Sequence, residues 1–205
     1  MNRIKIAIFL HVLLVLLELI ALAHDIEAFG AGLFQYYTID SNVLMMLVSA
    51  VIAAHLIRRG GEPVPAPVQV LHLTCAVCLT ITFFIALLVL APQEGFAYYF
   101  LSDVAPINHF LGAAFSVTTF LFFEKPAALR KTAVPAPMAA SLLYGVIALV
   151  LNAVRVLDGP YFFLRVYDEA PGTIALWFGI IAALCLGLSA LYLWLRSRYW
   201  RRHAA

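Results

Sequence analysis

Charge is what this sequence most lacks. Asp, Glu, Lys and Arg make up 12% of its 205 residues, about half the share of a water-soluble domain. With 64% hydrophobic residues and a mean hydropathy of +0.98, a soluble fold is excluded as an expectation. Long polar stretches are also missing, which leaves no room for a soluble domain beside the apolar runs. Cysteine is scarce: Cys75, Cys78 and Cys185 all fall inside apolar runs. Without His or Cys neighbours, the Cys75-Ala-Val-Cys78 spacing reads as small packing residues rather than as a redox or zinc motif. No internal repeat is visible, so the inverted repeats of secondary transporters find no support. The net charge of +2 comes from residues flanking apolar runs, which suits anionic lipid headgroups and does not point to nucleic acid.

What is present is a series of hydrophobic runs. A spanning helix needs roughly 20 apolar residues, and six runs qualify, at about 4–23, 36–57, 68–91, 103–123, 137–157 and 173–195. The expected fold is all-α: one transmembrane domain over residues 1–205, a bundle of six helices. Arg3 and Lys5, Arg58 and Arg59, Lys125, Arg130 and Lys131, and Arg196, Arg198, Arg201 and Arg202 then share one side, leaving only Arg155 and Arg165. The positive-inside rule places both termini in the cytoplasm. Ala21-Leu22-Ala23 resembles a signal-peptidase site, but the run before it is long and carries His11 and Glu18, so a retained first helix is expected. Phe96, Tyr98, Tyr99, Phe100, Tyr161, Phe162, Phe163 and Tyr167 crowd the outer connections, as aromatic belts do.

Ionisable groups within hydrocarbon cost about 2.5–3.5 kcal/mol each and need a reason. In this topology Glu18, His24, Thr38, Asp40, Asn42, Asp103, Asn108, His109, Asn152, Arg155 and Asp158 all fall toward the outer level. Helical spacing groups many of them. Thr38, Asn42, Met45 and Ser49 share one face of span two; Ser102, Pro106, His109, Ala113 and Ser116 share one of span four. Ser141, Gly145, Ala148, Asn152 and Arg155 do so on span five. Such small and polar stripes face a bundle interior.

A threonine hydroxyl becomes a nucleophile when a base removes its proton, and histidine is the usual base. Thr38 and His109 are the candidate pair. Asn42, Asn108, Asn152 and Arg155 are candidate oxyanion or substrate contacts, with Asp40, Asp103, Glu18 or Asp158 as the orienting acid. The chemistry that fits is acyl transfer from a lipid ester to threonine, followed by hydrolysis. One obstacle is depth: His109 falls about six residues, or roughly 9 Å, into span four, and Thr38 about two residues into span two. Tilt, or an earlier start of span two near Gly32, is needed to bring them level.

Tyr36-Tyr37-Thr38-Ile39-Asp40-Ser41-Asn42 resembles the YFTxxSN-type segment of small bacterial membrane proteins related to the androgen-induced membrane hydrolases. The resemblance implies a multi-span hydrolase of fatty-acid esters of hydroxy fatty acids. It also implies Thr38 as nucleophile and His109, within Ile107-Asn108-His109-Phe110, as its histidine partner. Tyr144-Gly145 and Asp158-Gly159-Pro160-Tyr161-Phe162-Phe163 are similar to later segments of that family, so the likeness covers roughly residues 30–165. Ala113 stands where relatives often carry proline, and Val117-Thr118 where they often carry Asp-Trp. The implied partners are a lipid ester and membrane lipids; no cofactor or metal ligand set is assigned. Two other classes compete. A b-type haem protein would use paired histidines from His11, His55, His72, His24 and His109, and a proton-coupled carrier would use Glu18, His109 and Arg155 as a relay.

Overall fold

The computed structural model describes residues 3–60, 62–127, 129 and 131–203. Arg130, counted above among the basic flanks, lies outside them. The described chain is helical, with no strand among the described residues: α1 (Arg3–Phe29), α2 (Tyr37–Arg59), α3 (Ala66–Glu94), a short α4 (Phe96–Phe100), α5 (Ile107–Phe123), α6 (Ala136–Ala153) and α7 (Pro171–Arg202). Five of these are long and apolar enough to cross a membrane, and α5 is a shorter apolar helix. The fold is an all-α, multi-pass membrane bundle.

Local chemistry sets the boundaries. Gly60 ends α2 at φ 57°, a left-handed conformation that glycine adopts without strain, and its N–H bonds to the Leu56 carbonyl. Pro65 and Pro67 punctuate the entry to α3. Pro92 lies near the end of α3 and cannot donate to the carbonyl four residues back. The helix widens into a π-helical turn over Ala86–Leu90, just before that proline. Two more π-helical turns, Ile107–Leu111 and Thr119–Phe123, open and close α5.

α3 is the central element, packed against α2, α5, α6 and α7. From His72 to Thr82 every residue is buried. Many are small (Thr74, Cys75, Ala76, Cys78, Thr80), which lets neighbouring backbones approach. The hydroxyls of Thr74 and Thr80 donate to the Val70 and Ala76 carbonyls, so a wholly buried helix carries them without loss. α6 and α7 bury one stripe each and expose Leu143, Val146, Ile147, Val150 and Leu176, an apolar coat suited to lipid. Arg3 stacks on Tyr199 and Trp200, so first and last helices meet at one end, the terminal end. The connections after α1, α3 and α6 meet at the other, the far end.

Two spans differ from expectation. Residues 101–104 form a turn with Asp103 at φ 40°, so the fourth span begins at Ile107 instead of 103. The fifth ends at Ala153, and Arg155 takes φ 60° in the following turn, off the helical stripe it was expected to complete. Ser141, Gly145, Ala148 and Asn152 do face inward, as do Asn42, Met45 and Ser49.

Candidate functional site

Thr38 occupies the first turn of α2. Tyr144 on α6 fixes the approach to that turn by donating its hydroxyl to the Gln35 carbonyl at 2.6 Å. Its ring packs 5.0 Å from that of Tyr37. Ser141 spends its proton on the Pro137 carbonyl, so Tyr37 donates to the Ser141 oxygen at 2.6 Å. Three hydroxyls thus lock α2 to α6 around Thr38. In the connection after α6, Tyr161 interacts by hydrogen bonding with the Thr38 side chain and with the Thr38 and Tyr37 amides. Those amides belong to the first turn of α2, where N–H groups have no partner within the helix. Burial pushes the Tyr161 hydroxyl up to about 12, against the lowering effect of these donors.

His109 lies in the first π-helical turn of α5. Its Nδ1 is 3.2 Å from the Ala105 carbonyl. A carbonyl only accepts, so Nδ1 carries the proton and a neutral ring keeps its lone pair on Nε2, the state of a general base. The Tyr99 carbonyl also interacts with this ring. The rings of Tyr99 and Phe100 pack edge-on against it at 5.3 and 6.1 Å. Tyr99 in turn donates to Glu94 at 2.7 Å, and burial together with that carboxylate raises its pKa.

Two cavities meet at these residues. A narrow apolar slot of about 50 Å³ runs among α3, α5, α6 and α7, past Ile81, Ile85, Leu142, Gly145, Phe178 and Ile181. A vestibule of about 520 Å³ opens at the far end, lined by polar groups that include His24, Asp25, Glu94, Ser102, Asp103, Asn108 and Arg165. Thr38, Leu90, His109 and Tyr161 border both spaces. The late start of α5 removes the expected depth difference: Thr38 and His109 each sit in the opening turn of their helix. Among the described residues no hydrogen bond joins the two side chains directly. The slot also holds the Thr82 hydroxyl, a polar atom with no hydrogen-bond partner among the described residues.

The other candidates separate. Asn108 borders the vestibule, and its amide donates to Asp25 at 2.8 Å. Asn42 borders neither cavity; it donates to the Asn108 carbonyl at 2.9 Å, and its oxygen is buried without a partner. Glu18, likewise buried with an orphaned oxygen, faces the same spot: a Cβ on Gly112 would meet Asn42 Oδ1 at 2.7 Å and Glu18 Oε1 at 2.8 Å. Asn152 braces the loop after α6 through the Leu157 carbonyl and the Val166 amide. Arg155 stacks on Tyr167 at 4.3 Å. Those two and Asp158 line a separate polar hollow. Asp40 is exposed on α2 and borders neither cavity with Thr38, whereas Asp103 is on the vestibule wall.

Sequence reasoning missed Tyr161 as a contact of Thr38, and it missed the role of Glu124. That residue stands just past the fourth apolar run, beside Lys125, yet it is fully buried between His11 and His72. Arg196, counted as an anchor beyond the sixth span, lies within α7 and is 2% exposed. The three cysteines are buried and free, as packing residues should be. No protein-family description, curated protein or solved structure matches the chain.

Proposed function

We propose that the protein is an intramembrane threonine hydrolase of lipid esters, with Thr38 as nucleophile and His109 as general base. The observation that carries the reading is the position of both residues on the border between an apolar slot and a polar vestibule. A lipid ester has the same division: an acyl chain for the slot, an alcohol portion for the vestibule, and a carbonyl between them. The slot takes only the first carbons of a chain, and the rest runs out between helices into lipid.

In the first step the Thr38 hydroxyl attacks the ester carbonyl, and His109 Nε2 takes its proton. The tetrahedral oxyanion then accepts from the Tyr161 hydroxyl, whose oxygen is itself held by the Thr38 and Tyr37 amides. Collapse expels the alkoxide, which receives the proton from His109. Water, deprotonated by the same imidazole, then hydrolyses the acyl-threonine to a free fatty acid. Two side chains that only border the same space must close to hydrogen-bond reach when substrate binds, as such pairs do in many free enzymes. The resemblance of residues 36–42 to the androgen-induced hydrolases supports fatty-acid esters of hydroxy fatty acids as the substrate class. The likeness to bacterial membrane proteins supports a bacterial cell membrane, and the basic flanks support cytoplasmic termini, which turns the vestibule outward.

Hydrolysis of such an ester by the detergent-purified protein tests this. Thr38→Ala is expected to lower kcat by about three orders of magnitude or more, with normal folding, and Thr38→Ser to retain part of the rate. Full activity in Thr38→Ala sinks the assignment.

A further inference from the structure

At the terminal end, His11 of α1, His72 of α3 and Glu124 at the end of α5 form a cluster in which each side chain is fully buried. His11 Nε2 is 2.9 Å and His72 Nδ1 2.7 Å from the same oxygen, Glu124 Oε1. The outer nitrogen of each ring is already engaged. His72 Nε2 is 3.1 Å from the Ser116 carbonyl, and because a carbonyl only accepts, that nitrogen carries the ring's proton. In a neutral ring Nδ1 then points a lone pair at a carboxylate oxygen 2.7 Å away, which is repulsive. His11 Nδ1 is 3.1 Å from the Ser49 hydroxyl, which can donate to it or accept from it. Among the described residues Glu124 Oε2 has no hydrogen-bond partner. Arg196 attracts the carboxylate by charge but makes no hydrogen bond to its oxygens: its Nη2 donates to the Glu124 backbone carbonyl at 3.1 Å, its Nε and Nη1 have no partner among the described residues, and its guanidinium lies over Phe120. The carboxylate thus has one oxygen without a partner among the described residues and one that faces a ring lone pair.

We propose that His11, His72 and Glu124 bind a divalent first-row transition metal, Zn²⁺ foremost, which staples α1, α3 and α5 together. Two imidazoles and one carboxylate suit such an ion. The three ligand atoms lie within 4.8 Å of one another. Bonds of about 2.0–2.2 Å at tetrahedral angles set ligand atoms about 3.3 Å apart. The two short contacts therefore widen by about half an ångström around the ion. Ser49 and the Ser116 carbonyl are the outer partners that orient metal-bound histidines. Glu124 Oε2 is available as a further ligand. Full burial marks the site as structural, since a catalytic metal keeps a position open to substrate. It uses none of the residues assigned to ester hydrolysis.

The full-length protein in detergent is stripped with a chelator and titrated with Co²⁺, then with Zn²⁺. The expected result is roughly one Co²⁺ per chain, visible ligand-field bands, and loss of those bands as Zn²⁺ displaces it. Glu124→Gln is expected to lose the bands. Ser49→Ala, which leaves all three ligands in place, is expected to weaken metal affinity about 10–100-fold. Folded wild-type protein with no stoichiometric Co²⁺ or Zn²⁺ and no bands overturns the proposal, as does folded Glu124→Gln that keeps both the stoichiometry and the bands. The cluster then holds a shared proton instead.

Discussion

At the terminal end of the bundle, three ionisable side chains are buried completely and engage one another; at the far end, Thr38 and His109 stand half-buried on the rim of two cavities, with no bond between them. Both pairs of elements carry polar groups at a price in hydrocarbon. The terminal cluster turns its groups on one another and leaves Glu124 Oε2 without a partner among the described residues. The far end instead holds Thr38 through Tyr144, Tyr37 and Tyr161, and His109 through Ala105 and Tyr99, with both side chains on the rim of the two cavities. Buried polar groups must find their partners within the protein, whereas polar groups on a cavity rim, held by a supporting shell, can meet a ligand.

That contrast predicts opposite consequences for substitutions at the two ends. His109→Ala is expected to reduce ester hydrolysis by about 10²–10⁴-fold while shifting thermal unfolding little, because its hydrogen bond to Ala105 is local. A rate close to wild type breaks the contrast. Glu124→Ala is expected to destabilise the protein by about 3–5 kcal/mol, the range for removing one partner of a buried charged pair. Its hydrolysis per folded molecule should stay near the wild-type value, and a selective loss of activity would merge the two ends into one. The smallest effect belongs to the slot. Gly145→Ala places a methyl group 2.9 Å from Phe178 Cζ, and overpacking of this kind costs about 1–3 kcal/mol. Because Gly145 and Phe178 both line the slot, hydrolysis of long-chain esters should fall more than that of acetyl esters. Equal loss for both chain lengths would remove the acyl chain from this space.

Much of the bundle was legible because hydropathy and helical period act locally. The runs at 4–23, 36–57 and 68–91 correspond to α1, α2 and α3, which extend past them by a few residues at most ends. The inward stripes of spans two and five follow from spacing alone as far as Asn152. Arg155 fell off the stripe because the helix ends two residues earlier, in a turn whose left-handed backbone no periodicity reveals. Asp103 broke span four for the same reason, and that break placed His109 in an opening turn. Thr38 and His109 were recognisable by residue type and level, although their common cavity depends on packing by Leu90 and Tyr161 from other segments. Glu124 was illegible. It follows the last turn of α5 in a connection rich in Lys, Pro and Ala, and its partners stand 113 and 52 positions away.

Covalent capture tests the central claim most directly. Purified protein is treated with a long-chain alkyl fluorophosphonate, and its peptides are mapped by mass spectrometry. The account predicts one adduct, on the peptide containing Thr38, formed much more slowly in His109→Ala and abolished in Thr38→Ala. An adduct on another residue, or ester hydrolysis that continues undiminished while Thr38 is fully blocked, would contradict it.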